Sequence, residues 1–158
     1  MTVALSSSAV NSRLREVVPG AVVEEGLDWV RVQPERIADV CRFLKDTEGL
    51  EFDFPESVSA VDYVDRFEIV YHLLSLRRNQ MFVVKTDVYD RAEPALPSVT
   101  SLWAGANQQE REVYDLMGIV FEGHPAMKRI LLWDGFEGYP LRKDYRADVV
   151  PQPRGMGL

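Results

Sequence analysis

Residues 58–88 read VSAVDYVDRFEIVYHLLSLRRNQMFVVKTDV. Three strands follow from that run. Val58 to Val64, Phe67 to Leu76 and Met81 to Val88 are rich in β-branched and aromatic residues, and the polar breaks Asp65-Arg66 and Arg77 to Gln80 separate them, which is the pattern of strands joined by short turns. Phe67 to Leu76 is apolar on both phases of the two-residue alternation, so it is expected to be a central strand.

Working back from the strands, Pro34 suits the first position of a helix with Glu35 beside it. Ile37, Val40, Cys41 and Leu44 recur at helical spacing and give that helix one apolar face for a sheet, with Gly49 as its stop. Ala21 to Glu25 and Trp29 to Val32 read as a hairpin around Gly26-Leu27-Asp28. Ser7 to Val18 reads as a short helix with a Val10, Leu14 and Val17 stripe, stopped by Pro19-Gly20. Forward of the strands, Tyr89 to Pro97 is expected as a polar loop and Ser98 to Ala104 as the start of another helix. There is no internal repeat. The expected fold is α+β in two layers, a mixed β-sheet with helices packed on one face and a long irregular C-terminal extension. Residues 1–106 form the α+β core, and residues 107–158 a helix plus an extended docking segment within the same structural unit. The tail, Val150 to Leu158, holds two prolines and two glycines and reads as extended or mobile.

The densest mixture of charge, aromatics, Gly and Pro lies at residues 107–144, NQQEREVYDLMGIVFEGHPAMKRILLWDGFEGYPLRKD. It opens as a helix. Asn107 is expected as its N-cap, with Glu110 at capping-box spacing and Glu110 and Glu112 in the first turn. Gly118 is expected to end it in the left-handed conformation. Ile119-Val120-Phe121 is a short extended run, and Gly123, Pro125, Gly135, Gly138 and Pro140 break any regular element beyond it. A long ordered excursion of this kind is usually functional.

Composition narrows the function. A chain of 158 residues is about one domain. With 18 Lys plus Arg against 25 Asp plus Glu, the net charge of −7 makes a generic nucleic-acid binder or an anionic-lipid binder a poor match. Lys128, Arg129, Arg142 and Lys143 nevertheless make one stretch locally basic, which suits an acidic partner. No apolar run approaches the roughly 20 residues of a membrane-spanning helix. The start, MTVALSSSAV, lacks the basic and long apolar regions of a signal peptide. A single cysteine, Cys41, excludes an internal disulfide and a cluster held by this chain alone, and its place on an apolar helix face marks it as a small buried hydrophobe.

The residues assemble no catalytic set. Glu110, Glu112 and Asp115 are explained by helix-start electrostatics, with Arg111 placed to pair with Asp115. His124, between Gly123 and Pro125, reads as a turn histidine bonded locally or across an interface, and His72 as a satisfied sheet residue. A metal site needs about three or four ligands, and no such His/Cys spacing exists. Phosphate-cradling glycine loops and a Gly-x-Ser-x-Gly elbow are both absent. Trp103, Trp133, Phe136, Tyr139 and Tyr145 beside arginines fit interface anchors, and the apolar ones fit a core equally well.

At these residues the chain closely resembles the C subunit (30-kDa subunit family) of the proton-pumping NADH:quinone oxidoreductase, respiratory complex I. The resemblance is carried by Glu110-Arg111-Glu112, Tyr114-Asp115-Leu116-Met117, Gly118-Ile119, Gly123-His124-Pro125, Lys128-Arg129-Ile130-Leu131, and the closing run Gly138 to Tyr145. A motif of so many parts is far more specific than a short pattern. The resemblance implies the same α+β fold and a cofactor-free member of the peripheral arm on the cytoplasmic face of a bacterial membrane. It implies docking on the D subunit beside the quinone-reduction module, with the B and I subunits nearby. NADH, FMN, iron–sulfur clusters and quinone would belong to the partner subunits. It implies interface roles for Glu110, Arg111, Glu112, Asp115, His124, Arg129, Arg142, Lys143 and Asp144. Arg111, Arg129 and Arg142 would then offer planar forks to partner carboxylates. Three other readings compete: the equivalent subunit of a membrane-bound hydrogenase or a ferredoxin- or deazaflavin-linked oxidoreductase, a stand-alone acid/base hydrolase using His124 and Glu112, and a generic α+β adaptor.

Overall fold

The computed structural model describes residues 2–146. In chain order the elements are β1 (Val3–Ala4), α1 (Ser7–Val17), β2 (Val22–Glu25), β3 (Trp29–Val32), a 3₁₀ turn (Pro34–Arg36), α2 (Ile37–Asp46), β4 (Phe54–Asp62), β5 (Phe67–Ser75), β6 (Gln80–Val88), β7 (Ala95–Pro97), α3 (Ala106–Met117) and β8 (Val120–Glu122). The main sheet runs β2-β3-β6-β5-β4, with β1 also on β6. β4, β5 and β6 form an antiparallel meander, whereas β3 and β1 join β6 in parallel. The fold is therefore α+β with a mixed sheet.

Alternation decides which face is covered. Phe67, Ile69, Tyr71 and Leu73 of β5, with Phe82, Val84 and Val88 of β6 and Val30 and Val32 of β3, point to one side and are buried. The helices supply the other half of this core: Val10 and Leu14 from α1, Ile37, Val40, Cys41 and Leu44 from α2, and Ala106, Val113 and Met117 from α3. Cys41 is sealed there, and burial raises its thiol pKa. The opposite phase of β5 carries Glu68, Val70, His72 and Leu74. On that face Arg31 pairs with Glu68 at 2.8 Å and Asp87 at 3.2 Å, and His72 Nδ1 lies 2.9 Å from the Ser57 hydroxyl. Among the described residues no helix is long and apolar enough to cross a membrane.

Several elements differ from the sequence expectation, each for a physical reason. β4 begins at Phe54, four residues early, because Pro55 is accommodated at a register shift on an edge strand. In α1, Val18 rather than Val17 joins the core, and Val17 is exposed. α2 stops at Asp46, before Gly49, with the Thr47 N–H closing on the Phe43 carbonyl. Residues 98–104 form turns rather than a helix start, held by Lys45 donating to the Leu102 carbonyl at 2.6 Å and Trp103 Nε1 donating to the Phe52 carbonyl at 3.2 Å. The loop before them contains β7, which pairs in parallel with β8. α3 is capped at Gly105, so Asn107 is its second residue and forms no cap. Gly118 does end α3, at φ 72°. The tail from Val150 to Leu158, expected to be extended, lies outside the described residues.

Candidate functional site

Among the described residues the segment beyond β8 has no regular element, so its backbone groups need other partners. α3 supplies them. Its last four carbonyls would be orphans in an isolated helix. Here Gly118 N–H donates to Tyr114 O at 2.8 Å, Arg129 Nη1 to Asp115 O at 3.1 Å, Leu141 N–H to Leu116 O at 3.0 Å, and Arg142 Nε to Met117 O at 2.6 Å. Two arginines at the negative end of a helix dipole are also favourable in charge. The extension is thus the C-terminal cap of α3. Gly118 is required by its left-handed backbone and by space, because a Cβ there would collide with the Tyr139 ring.

Asp115 is the centre of this arrangement. It is 0% exposed. Its Oδ2 accepts three successive N–H groups, from Ile130 at 2.9 Å, Leu131 at 2.7 Å and Leu132 at 2.9 Å, while Oδ1 accepts Arg129 Nη1 at 2.8 Å. Burial by itself would raise its pKa, but the three N–H groups and Arg129 outweigh it and hold the carboxyl below its usual range. Arg129 also reaches Gly138 O at 3.2 Å and lies over the Phe136 and Tyr139 rings. Arg111 donates to Lys128 O at 3.0 Å and Arg129 O at 2.9 Å, so its expected pairing with Asp115 is replaced by a grip on the extension backbone.

A second centre lies at the end of β4. Asp62 accepts both arms of Arg91, at 2.6 and 3.1 Å, together with the Val64 and Lys143 N–H groups at 2.7 and 3.0 Å. The bidentate Arg91 bond, with the two N–H groups, holds the Asp62 carboxyl far below its usual range despite burial. Asp144 adds a looser pairing to Arg91 at 3.4 Å and is itself exposed. Arg142 Nη1 donates to Arg91 O at 3.1 Å, and both guanidinium groups lie over the Phe67 ring. Asp62 and Arg91 were not candidates from sequence. An Asp inside an apolar strand pattern, where Asp is disfavoured, was the one available signal.

Glu110, at the other end of α3, is also 0% exposed. It accepts Ser98 Oγ at 2.6 Å and Val99 N–H at 2.8 Å, and burial pushes its pKa up to about 7. It therefore ties the 98–100 turn to the helix rather than serving as a first-turn acid. His124 Nδ1 accepts the Ala126 N–H at 3.0 Å, which leaves Nε2 to donate to Asn107 O at 3.1 Å. Both nitrogens are used, as expected of a turn histidine. Glu112 is exposed and apart from it, so no acid/base pair forms. No group of three or more His, Cys, Asp or Glu able to hold a metal occurs among the described residues.

The sequence-named residues thus divide. Glu110 and Asp115 are inside the chain, and the forks of Arg111, Arg129 and Arg142, expected to face a partner, bond the chain's own carbonyls. Glu112, Lys143 and Asp144 are exposed, and the extension also turns apolar side chains outward among its charged ones: Leu131 at 60% exposed, Leu141 at 56% and Trp133 at 40%, with Ile130 beside them.

The family model described as "Respiratory-chain NADH dehydrogenase, 30 Kd subunit" matches residues 30–149. The chain is 46% identical over 148 residues to the C subunit of the NADH-quinone oxidoreductase of Roseiflexus sp. (strain RS-1), covering 89% of this chain and 84% of that one. It is 44% identical over 140 residues to the corresponding C subunit of Moorella thermoacetica, covering 86% and 93%. Among solved structures it is similar to a chain of the membrane-bound sulfane sulfur reductase, an archaeal respiratory membrane complex, with TM-score 0.72, 29% identity, and 89% and 85% coverage.

Proposed function

The chain belongs to the family of the 30 Kd subunit of the respiratory-chain NADH dehydrogenase, and from that premise we propose that it is the cofactor-free C subunit of an NADH:quinone oxidoreductase. In this reading it docks on the D subunit beside the quinone-reduction module, near the B and I subunits, on the cytoplasmic face of the membrane. It supports electron transfer from NADH to quinone, coupled to proton translocation, without carrying electrons itself.

One observation carries the reading. The extension is fixed internally by Asp115, Asp62 and three arginines, yet it holds Ile130, Leu131, Trp133 and Leu141 toward solvent. A surface ordered before contact loses little conformational entropy on binding, which favours tight association. In the assembled complex, Leu131→Asp leaves the fold of the isolated chain intact but reduces incorporation and NADH:quinone activity at least tenfold. Unchanged incorporation and activity would sink the proposal. A membrane-complex subunit with a different electron donor is the second reading. The sulfane sulfur reductase chain, at 29% identity, favours it less than the NADH-quinone oxidoreductase relatives at 44% and 46% favour the first.

A further inference from the structure

We propose that the outer edge of β4, beside α3, seats an extended segment of a neighbouring polypeptide that is apolar at alternate positions and carries a lysine or arginine.

β4 is the last strand of the sheet. Its register pairs Val58 with Tyr71, Ala60 with Ile69 and Asp62 with Phe67. Val58 N–H points away from β5, because it donates to Gln109 Oε1 at 2.6 Å. In an antiparallel ladder both backbone groups of alternate residues point the same way, so those of Ala60 also face outward. Neither Ala60 group has a backbone partner beyond the strand among the described residues. Edges of this kind are normally blunted by proline, bulges or covering elements. The first half of β4 has all three: Pro55, the register shift before Ser57, and Gln109, whose Nε2 donates to Pro55 O at 3.3 Å. The Gln109 amide accepts one N–H and donates to one carbonyl, as a peptide unit of an adjoining strand would. Past Gln109 no backbone group of the described residues pairs with the edge.

That stretch borders a groove of about 350 Å³, floored by Val113, Leu116, Met117 and Leu141 and rimmed by Glu56 and Glu112, with no basic side chain in its lining. Both rim carboxylates are exposed. From Val58 to Asp62 the edge is about 13 Å long at ~3.3 Å per residue, room for a strand of roughly four or five residues. Backbone bonds to the edge would give affinity, the apolar floor would take every second side chain, and a cation would meet Glu112. The inference depends on the preceding reading only in taking the occupant from another subunit.

Hydrogen exchange at the Ala60 amide tests this, measured on the isolated chain and on the chain in its assembled respiratory complex. At least tenfold greater protection in the complex is expected, and equal exchange in both overturns the proposal. Protection in the isolated chain that vanishes when residues 147–158 are removed assigns the edge to the chain's own tail, and protection that rises with protein concentration assigns it to a second copy. Either outcome overturns it. Ala60→Pro removes the outward N–H without touching the β5 ladder and should lower retention in the complex about tenfold, while Ala60→Val should not. Glu112→Lys should lower it several-fold. If Ala60→Pro fails to fold, the exchange comparison on the unaltered chain decides. Loss of assembly by Leu131→Asp with no Ala60 protection would leave the reading of the family role standing and remove this one.

Discussion

The sheet domain and the extension are ordered by opposite means. In the domain, apolar side chains turn inward: Phe67, Ile69, Tyr71 and Leu73 meet α1, α2 and α3 in a sealed core. In the extension, the ordering contacts are largely polar, and several apolar side chains stay outward among charged ones. Asp115 and Asp62 gather N–H groups and guanidinium groups at the base, and Leu131 and Leu141 are left on the surface. Hydrophobic burial orders a chain by consuming apolar surface. Hydrogen bonding to buried carboxylates orders it without consuming any. The docking role proposed above would need the second method, because it leaves apolar surface for a partner.

The contrast can be broken most directly at its two strongest points. Leu73→Ala should lower global stability by about 2–5 kcal/mol, the range for truncating a buried leucine. Asp115→Ala removes the partner of Arg129 and of three N–H groups and should cost on the order of 3–5 kcal/mol. Its effect should be local: loss of amide protection at residues 130–132 with the sheet amides unchanged. If the sheet amides lose protection equally, the two regions are one cooperative unit and the contrast fails.

Two carboxylates on α3 sharpen it further. Glu110 faces the core, and its folded pKa of about 7 lies above the 4.5 of a free glutamate. Its contribution is therefore fully present below pH 4.5 and is lost as pH rises toward and past 7, by up to about 3 kcal/mol. Asp115 is shifted downward, so its contribution is present above the ordinary aspartate pKa and is lost in acid. Denaturant unfolding between about pH 5 and 8 should show stability falling with pH in the native chain and a flatter profile in Glu110→Gln. An unchanged slope in that variant would assign the effect to other groups. The smallest change is expected from Gly118→Ala, where the left-handed backbone and the Tyr139 contact together should cost about 1–3 kcal/mol, read as a lower melting temperature.

How much of this was legible follows the same division. Where order comes from apolar spacing, most of the pattern was readable: Ile37, Val40, Cys41 and Leu44 on one face of α2, both phases of β5, and the β2–β3 hairpin, with Val17 of α1 the exception. Gly118 was readable too, because its conformational demand is local. The polar centres were not. Glu110 sits three residues after Asn107, the spacing of a capping box, but its partners are Ser98 and Val99. Arg111 lies four residues from Asp115, yet Arg129 takes that carboxylate. Local spacing shows which residues can meet within a helix, and tertiary partners 11 to 18 positions away outcompete them. The arginines of the multi-part motif, read from the resemblance as forks for a partner, bond the chain's own carbonyls here, partners that local spacing does not reveal.

The bond from the Lys143 N–H to Asp62 spans 81 positions of sequence. Contacts between such distant residues close late in folding, because the loop entropy must be met before they form. The end of the extension at Lys143 is therefore expected to close after the β4–β5 hairpin and α3 are in place, whereas Leu131 and Leu141 are tied to the nearer α3. On that order the face would be completed last at its Lys143 edge.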